Sequence, residues 1–228
     1  SVPSLFQDHD GAYWIAYREG SMIMLTTSGD GSHWSTPAAL TEGHHPSLCQ
    51  DSRGTYWIAY TNEAEGGIAL LQKAEDGSWS RPINIENTGL PSWNPSFLQS
   101  RDGIYWIAFA SLVPGTETLE QGGTEVTEPE MPPIGIFLRR TSDLTTWSPP
   151  MMVADGTDEF HLFQDSKGQF SLAFQSARDG NLNIFLMNSR DGKTWSDPER
   201  VTDDPANDIE ASMIRDRGGY SMALTSWR

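Results

Sequence analysis

A single pattern of residues recurs five times along the chain, and it constrains the fold more than any other feature of the sequence. A short apolar stretch leads through a turn that ends in glycine to an aromatic run that contains an alanine. The alanines of the five runs are Ala16, Ala59, Ala108, Ala173 and Ala223, and they are 43, 49, 65 and 50 residues apart. Strand-rich repeats with a period of roughly 40 to 50 residues are typical of β-propeller blades. The sequence therefore predicts an all-β propeller.

Each repeat divides into short strands, so we expect about five blades of four-stranded antiparallel sheets within one domain, residues 1–228. The repeat units span residues 1–43, 44–91, 92–156, 157–206 and 207–228. The fifth unit ends after its second strand, so the last blade is predicted to be incomplete within the chain. Because an uncovered edge strand pairs readily with another chain, a homodimer through this edge is a hypothesis.

A second turn, which follows the third strand, carries its own chemistry. The complete copies at residues 28–34 and 189–195 begin with serine, contain Asp-Gly and end in tryptophan. The copies at residues 74–79 and 141–147 keep the aspartate and the tryptophan. An aspartate in such a turn accepts several backbone N–H bonds, and the tryptophan is expected to bury its ring between blades.

This pattern resembles the Asp-box, or BNR repeat, of the sialidase-like β-propeller superfamily, and the resemblance covers essentially the whole chain. In that superfamily the box is structural and lies away from the ligand face. The resemblance therefore implies structural rather than catalytic roles for the aspartate and tryptophan of each box: Asp30, Trp34, Asp76, Trp79, Asp143, Trp147, Asp191 and Trp195.

The composition excludes several classes of function. Fifteen basic and 31 acidic residues give a net charge of −16, and a nucleic-acid-binding protein needs a basic surface instead. No run of 18 apolar residues is present, so insertion into a membrane is not predicted. The single cysteine excludes an internal disulfide framework. Abundant Trp, Tyr, Asn and Gly with one Cys suggest a secreted or cell-surface protein.

The candidate site lies where the loops of one propeller face converge. The loops that join the outer strand of one blade to the inner strand of the next, and the second strand to the third, share that face. They carry the candidate ligand-binding residues His44, His45, Trp93, Asn94, Arg18, Glu63 and Arg178. Aromatic rings beside groups that bind hydroxyls are suited to sugars. The first interpretation is an extracellular module that binds glycans or mediates protein interaction at the cell surface.

A glycoside hydrolase is the alternative interpretation. It needs two carboxylates at the mouth of the propeller, one as acid and one as nucleophile or base. The candidates for catalysis are Asp158, Glu159, Asp208 and Glu210. Sialidase activity itself is not predicted, because the superfamily uses an arginine triad and the mouth arginines Arg18, Arg178 and Arg228 fit no such triad. A scaffold that assembles through its open blade edge is compatible with either interpretation.

No cofactor and no metal site are predicted. Adjacent histidines in a strand, such as His44 and His45, point to opposite sides and do not share a metal ion. Ca²⁺ on loop carboxylates stays open, although no EF-hand-type spacing is present. The third unit also carries an acidic insertion, at about residues 113–133, with five glutamates and no basic residue. It is expected to be a solvated loop, or a lid over a ligand site.

Overall fold

The structure is a computed structural model that describes residues 3–85, 91–113, 133–156, 158–203, 205–215 and 220–227. Within these ranges, eighteen strands form four four-stranded sheets and one two-stranded sheet, and every pairing is antiparallel. Each four-stranded sheet runs up and down in chain order, and each sheet packs against the next one in the sequence. The predicted all-β propeller, with an incomplete last blade, is confirmed.

The strands divide into five blades. Blade 1 consists of β1 (Ser4–Gln7), β2 (Tyr13–Glu19), β3 (Met22–Ser28) and β4 (Ala38–Glu42). Blade 2 consists of β5 (His44–Gln50), β6 (Tyr56–Asn62), β7 (Gly67–Gln72) and β8 (Ile83–Asn84). Blade 3 consists of β9 (Ser92–Gln99), β10 (Tyr105–Leu112), β11 (Ile134–Thr141) and β12 (Met151–Gly156). Blade 4 consists of β13 (Phe160–Gln164), β14 (Phe170–Ser176), β15 (Asn183–Ser189) and β16 (Glu199–Arg200). Blade 5 consists of β17 (Asn207–Arg215) and β18 (Tyr220–Trp227).

The second strands of blades 2, 3 and 4 are buried on both faces because each of these blades lies between two others. In β6, Ile58 and Tyr60 pack into a cluster with blade 1, whereas Trp57 and Ala59 pack into a cluster with blade 3. Successive side chains of a strand point to opposite faces, so this alternation follows directly from the apolar run. The hydrophobic core is therefore a series of layers between blades.

A ladder of serine side chains joins the inner strands of neighbouring blades. The hydroxyl oxygens of Ser4, Ser47 and Ser96 each accept a hydrogen bond, 3.0 Å long, from the backbone N–H of the next inner strand. The donors are Leu48, Phe97 and Leu162. These bonds align the blades residue by residue and give the inner strands a common register.

A second ladder lies at the other end of the inner strands. The side-chain amides of Gln7, Gln50, Gln99 and Gln164 donate to the carbonyl of the glycine that closes their own hairpin. The carbonyl oxygens of the last three also accept from the hairpin of the preceding blade, at His9, Ser52 and Arg101. The glutamines therefore tie the hairpins of neighbouring blades together.

The aspartate turns have the hydrogen bonds that their sequence predicts. In blade 4, Asp191 accepts from the backbone N–H groups of Lys193 and Thr194, both at 2.8 Å, and from the Ser189 hydroxyl at 3.1 Å. Blades 1 and 3 repeat this arrangement around Asp30 and Asp143. Hydrogen bonds to its carboxylate, first those from the backbone of Thr194 and Lys193, lower the pKa of Asp191. Antiparallel connectivity puts these turns at the end of the blades opposite the candidate site.

The tryptophans of these turns do not all bury their rings. Trp79, Trp147 and Trp195 pack, partly buried, against the cluster that their own blade forms with the preceding blade. Trp34 of blade 1 is 38% exposed. Among the described residues, Trp34 belongs to none of the hydrophobic clusters, so it lacks the apolar layer that covers its counterparts.

Residues 114–132, which make up most of the acidic insertion, lie outside the described part of the structure. The two residues that flank this segment are joined, because the backbone N–H of Val113 donates to the carbonyl of Pro133 at 2.9 Å. The chain thus leaves and re-enters blade 3 at the same point.

Candidate functional site

A cavity of about 340 Å³ runs along the axis of the propeller. It is lined by residues of all five inner strands, from Ser4 in β1 to Ser212 in β17. At the end opposite the glutamine ladder, its lining includes His45, Asn94 and Glu159. The serine ladder shows that these three residues hold the same position in their repeats. His45 and Asn94 lie two residues before the ladder serine, and Glu159 lies two residues before His161, which takes the place of that serine. Blades 2, 3 and 4 thus each place one polar side chain at the mouth of the cavity.

The backbone at this position is distorted in two blades. His45 has a φ of 50° and Asn94 a φ of 56°, in the left-handed region that residues with a Cβ seldom adopt. The register of the adjoining strands shifts at both positions, between His44 and Ser47 in blade 2 and across Asn94 in blade 3. Such strain is often retained where a side chain must be aimed. Here it occurs at two of the three residues that line the mouth.

The two histidines of β5 have different surroundings. His44 is buried, and its Nε2 lies 2.7 Å from Oε1 of Glu63. His45 lines the cavity, and its Nδ1 is buried without a hydrogen-bond partner among the described residues. Burial lowers the pKa of the His45 imidazole, and the Asp158 carboxylate acts against that shift. Burial therefore favours the neutral form of the His45 imidazole.

Asp158 joins blades 3 and 4 at the mouth. Its carboxylate accepts from the indole Nε1 of Trp93 at 3.3 Å, and its backbone carbonyl accepts from the side-chain amide of Asn94. The backbone N–H of Asn94 donates to Oγ1 of Thr61 at 2.9 Å. Asn94 is thereby held between blades 2 and 4, and Trp93 holds the Asp158 side chain.

The four candidate catalytic carboxylates do not share one position. Glu159 is the only acidic residue among the described residues that line the cavity. Asp158 is next to the lining and bonded to Trp93. Asp208 is buried near the start of β17, where its backbone N–H donates to the carbonyl of Leu182. Glu210 belongs to β17, but its side chain is outside the described part of the structure. The assignment of catalytic roles to these acids stays a prediction.

The two described arginines among the candidates are bound to other parts of the protein. Arg18 is exposed and donates to the carbonyl of Gly20 at 2.7 Å. Arg178 forms an ion pair with Asp155 at 2.8 Å, and its guanidinium lies 4.9 Å from the centre of the Phe185 ring. Neither residue lines the cavity. Their role in ligand binding stays a prediction.

Two residues that contribute to the site were not among the ligand-binding residues predicted from the sequence. Thr61 fixes the backbone of Asn94, and His161 lines the cavity at the position that serine holds in blades 2 and 3. Both belong to loops or strands that the repeats assign to the mouth. The repeated Pro-Ser pairs at 3–4, 46–47 and 95–96 were the available signal for the serine ladder.

The described residues include no group of three or more His, Cys, Asp or Glu side chains that could hold a metal ion. Among the same residues, no helix has the length and apolarity needed to span a membrane.

Comparison with known proteins defines the fold. The sequence matches no protein-family model and no curated protein. An endo-arabinase from Bacteroides thetaiotaomicron superimposes with a TM-score of 0.66 at 16% identity, over 99% of this chain and 93% of that chain. An α-L-arabinofuranosidase from Clostridium thermocellum gives 0.61 at 11% identity, over 96% and 80% of the two chains. A Hadza microbial sialidase gives 0.61 at 17% identity, over 86% of this chain and 45% of that one. Solved structures similar to this protein thus include β-propellers of glycan-degrading enzymes.

Proposed function

We propose that this protein acts on glycans at the mouth of its axial cavity, and that it is a glycoside hydrolase. The observation that carries the proposal is the convergence of a carboxylate, an amide and an imidazole, on Glu159, Asn94 and His45, at one open cavity. Such a mouth offers hydrogen bonds to several hydroxyls of one sugar at the same time.

The comparisons support this choice of substrate class. Besides the arabinan-active proteins, the similar structures include an endo-1,4-β-xylanase from Bacteroides thetaiotaomicron and an exo-β-1,3-galactanase from Clostridium thermocellum. Each superimposes over 98% of this chain. Fold alone does not carry an activity from one protein to another, so the residues at the mouth must supply the chemistry.

In the proposed mechanism, Glu159 is one of the two carboxylates that a glycosidase needs. The second is to be found among Asp158, Asp208 and Glu210, at a separation of about 5–5.5 Å for retention or about 6.5–9.5 Å for inversion. The neutral indole of Trp93 would keep the Asp158 carboxylate oriented. Asn94, held by Thr61 and the Asp158 carbonyl, would bind a sugar hydroxyl.

Product release from arabinan, xylan and β-1,3-galactan oligosaccharides tests the proposal. Glu159→Gln should lower kcat at least about 100-fold, since general acid–base catalysis typically contributes 10² to 10⁴. Glu75→Gln, which changes an exposed acid on the opposite end of blade 2, is the matched control and should retain full activity. Equal rates for both variants would contradict the role of Glu159.

A glycan-binding module is the second candidate. The observation in its favour is that Glu159 is the single carboxylate among the described residues of the cavity lining. A binding module predicts no product from any of the oligosaccharides, together with saturable binding that weakens in the Glu159→Gln variant. Isothermal titration calorimetry with the same oligosaccharides separates the two functions.

We also propose that the aspartate turns are Asp-boxes, on the strength of the shared bonds around Asp30, Asp143 and Asp191. The secreted or cell-surface location, the homodimer and the Ca²⁺ site stay predictions of the sequence.

A further inference from the structure

The unpartnered nitrogen of His45 indicates which tautomer the ring adopts. A neutral imidazole has one N–H donor and one acceptor nitrogen. Nδ1 of His45 is buried without a hydrogen-bond partner among the described residues. A buried N–H without an acceptor is rarer in proteins than an under-used acceptor, and it is costly. The hydrogen is therefore expected on Nε2, with the lone pair on Nδ1.

The surroundings of the ring keep it uncharged. Burial disfavours the imidazolium form of His45 most, and the neighbouring His44 and Arg18 act in the same direction. Asp158 is the carboxylate that favours protonation, and Trp93 already donates to it. An uncharged ring lacks the ion-pair attraction that an imidazolium would have for a carboxylate or sulfate group.

The rest of the ring is available to a ligand. His45 lines the cavity and is only partly buried, although its Nδ1 is enclosed. The accessible edge is consequently the one that carries Nε2. His45 also has a strained backbone, with a φ of 50°, at its position in the cavity lining.

The charge of the mouth also disfavours an anionic ligand. Among the described residues, the cavity lining contains Glu159 but no lysine and no arginine. Asp158 adds a second negative charge beside it. An anionic sugar would meet the Glu159 carboxylate, with Asp158 beside it, and no cation among the described residues of the cavity lining. Like charges in close contact disfavour binding.

We infer that His45 presents a neutral Nε2–H donor to a sugar hydroxyl at the mouth of the cavity, and that the site takes uncharged rather than anionic glycans. This inference rests on the proposed glycan function for its ligand. The similar structures include both an endo-arabinase and a sialidase, and the inference distinguishes between them by the charge of the glycan.

The tautomer is tested first, without any glycan, by ¹⁵N NMR of the imidazole groups between pH 5 and 8. The His45 resonances, assigned by their loss in the His45→Asn variant, should show Nε2–H at pH 7 and at pH 6.5. An Nδ1–H tautomer or an imidazolium at pH 7 would overturn the inference, whatever the protein binds.

Calorimetry then measures the selectivity. Arabinan, xylan and β-1,3-galactan oligosaccharides are compared with sialyllactose and ulvan oligosaccharides as the anionic probes. At least one uncharged oligosaccharide should bind at least about tenfold more tightly than either anionic probe. Equal or tighter binding of an anionic probe would refute the selectivity.

Two variants at position 45 isolate the donor. His45→Asn keeps an amide donor, and an asparagine already occupies the equivalent position in blade 3 with a φ of 56°. His45→Leu removes the donor, and Leu144 shows that leucine is accommodated at a φ of 62° elsewhere in this chain. We expect His45→Leu to lose at least about tenfold in affinity for the uncharged glycan and His45→Asn to lose less. Equal losses would argue against a hydrogen bond.

If no glycan binds the wild-type protein, the proposed function fails, and so does the part of the inference that concerns the ligand. The NMR result still decides the protonation state and the tautomer of His45.

Discussion

Two buried carboxylates, Asp8 and Asp51, join each of the first two blades to the next. Asp51 accepts from two backbone N–H groups of its own turn, from the indole of Trp57 at 3.1 Å and from the hydroxyl of Tyr105 in blade 3 at 2.8 Å. Burial would raise the pKa of Asp51, but these hydrogen bonds outweigh it, so the pKa lies below its usual range. Asp8, Trp14 and Tyr56 repeat the arrangement.

Blade 3 departs from this arrangement at two residues at once. Ser100 replaces the aspartate and bonds the indole of Trp106 at 3.1 Å, and Phe170 of blade 4 replaces the tyrosine. With serine in place of the aspartate, a hydroxyl on the neighbouring ring would lose its charged acceptor. The two substitutions are thus complementary, although they are 70 residues apart in the chain.

A double-mutant cycle at Asp51 and Tyr105 tests this complementarity. Asp51→Ser should reduce the free energy of unfolding by about 2–3 kcal/mol, because the Tyr105 hydroxyl loses a charged acceptor while buried. Adding Tyr105→Phe should cost less in that background than in the wild-type protein, with a coupling energy of about 1 kcal/mol or more. Urea denaturation of the four proteins measures it. Strict additivity would mean that the two residues are independent.

The lowered pKa of His45 predicts a loss of stability in mild acid. The unfolded chain takes up a proton on this residue near pH 6.5, before the folded protein does. Stability is therefore present above about pH 6.5 and decreases as the pH falls toward the folded-state pKa. The wild-type protein should lose stability relative to His45→Asn between pH 7 and 5 in urea titrations. A gain relative to this variant would contradict the lowered pKa.

The turn between β15 and β16 packs onto a neighbouring blade through a glycine. Gly192 has a φ of 67°, and a Cβ at this position would lie 2.8 and 2.9 Å from Cζ3 and Cζ2 of the buried Trp106. Contacts this short have to be relieved by movement of the ring or the backbone. The glycine is thus required both by the conformation of the turn and by the packing of blade 3 on blade 4.

Gly192→Ala should be far more destabilising than the same change at Gly77. Overpacking against Trp106 and a left-handed alanine together should cost about 2–4 kcal/mol. Gly77 occupies the turn of blade 2 with a φ of 85° and has nothing within 4 Å of its ideal Cβ, so its substitution should cost about 1 kcal/mol. Thermal and urea denaturation check both variants. Equal costs would mean that Trp106 moves aside freely.

The strands and turns themselves could be predicted almost completely from the sequence. The Asp- and Gly-containing hairpins and the alternation of the aromatic strands are local properties, so β1 to β18 appear where the repeats indicate. The bulges at His45 and Asn94 were not predicted, since a shift of register depends on the partner strand.

In the whole molecule, blade 1 is less covered on its side toward blade 5 than the other blades are on the corresponding side. Leu5 in β1 is 66% exposed, whereas Leu48, at the same position in blade 2, is 8% exposed. Trp34 is exposed on blade 1 as well. Blades 1 to 3 each cover the corresponding face of the blade that follows. The two described strands of blade 5 leave the face of blade 1 largely uncovered.

Leu5→Ala and Leu48→Ala are a matched pair of variants that tests this difference in packing. Truncation of Leu48 should cost about 2–5 kcal/mol through the cavity that it leaves. Truncation of Leu5 should stay within about 0.5 kcal/mol, as for an ordinary surface position. Urea denaturation of the isolated protein gives both values. A cost at Leu5 that approaches the cost at Leu48 would show that this face is covered in solution.

The sequence by itself determined the propeller, the number of strands and the end of the blades at which polar residues gather. These follow from repeat length, apolar alternation and turn residues, which are local and recur in every unit. The tertiary structure decided which of the gathered residues share the cavity. His45, Asn94 and Glu159 meet because the serine ladder sets their blades in register, whereas Arg178 is drawn to Asp155 and Asp158 to Trp93. Such contacts depend on distances between blades, which no local pattern encodes.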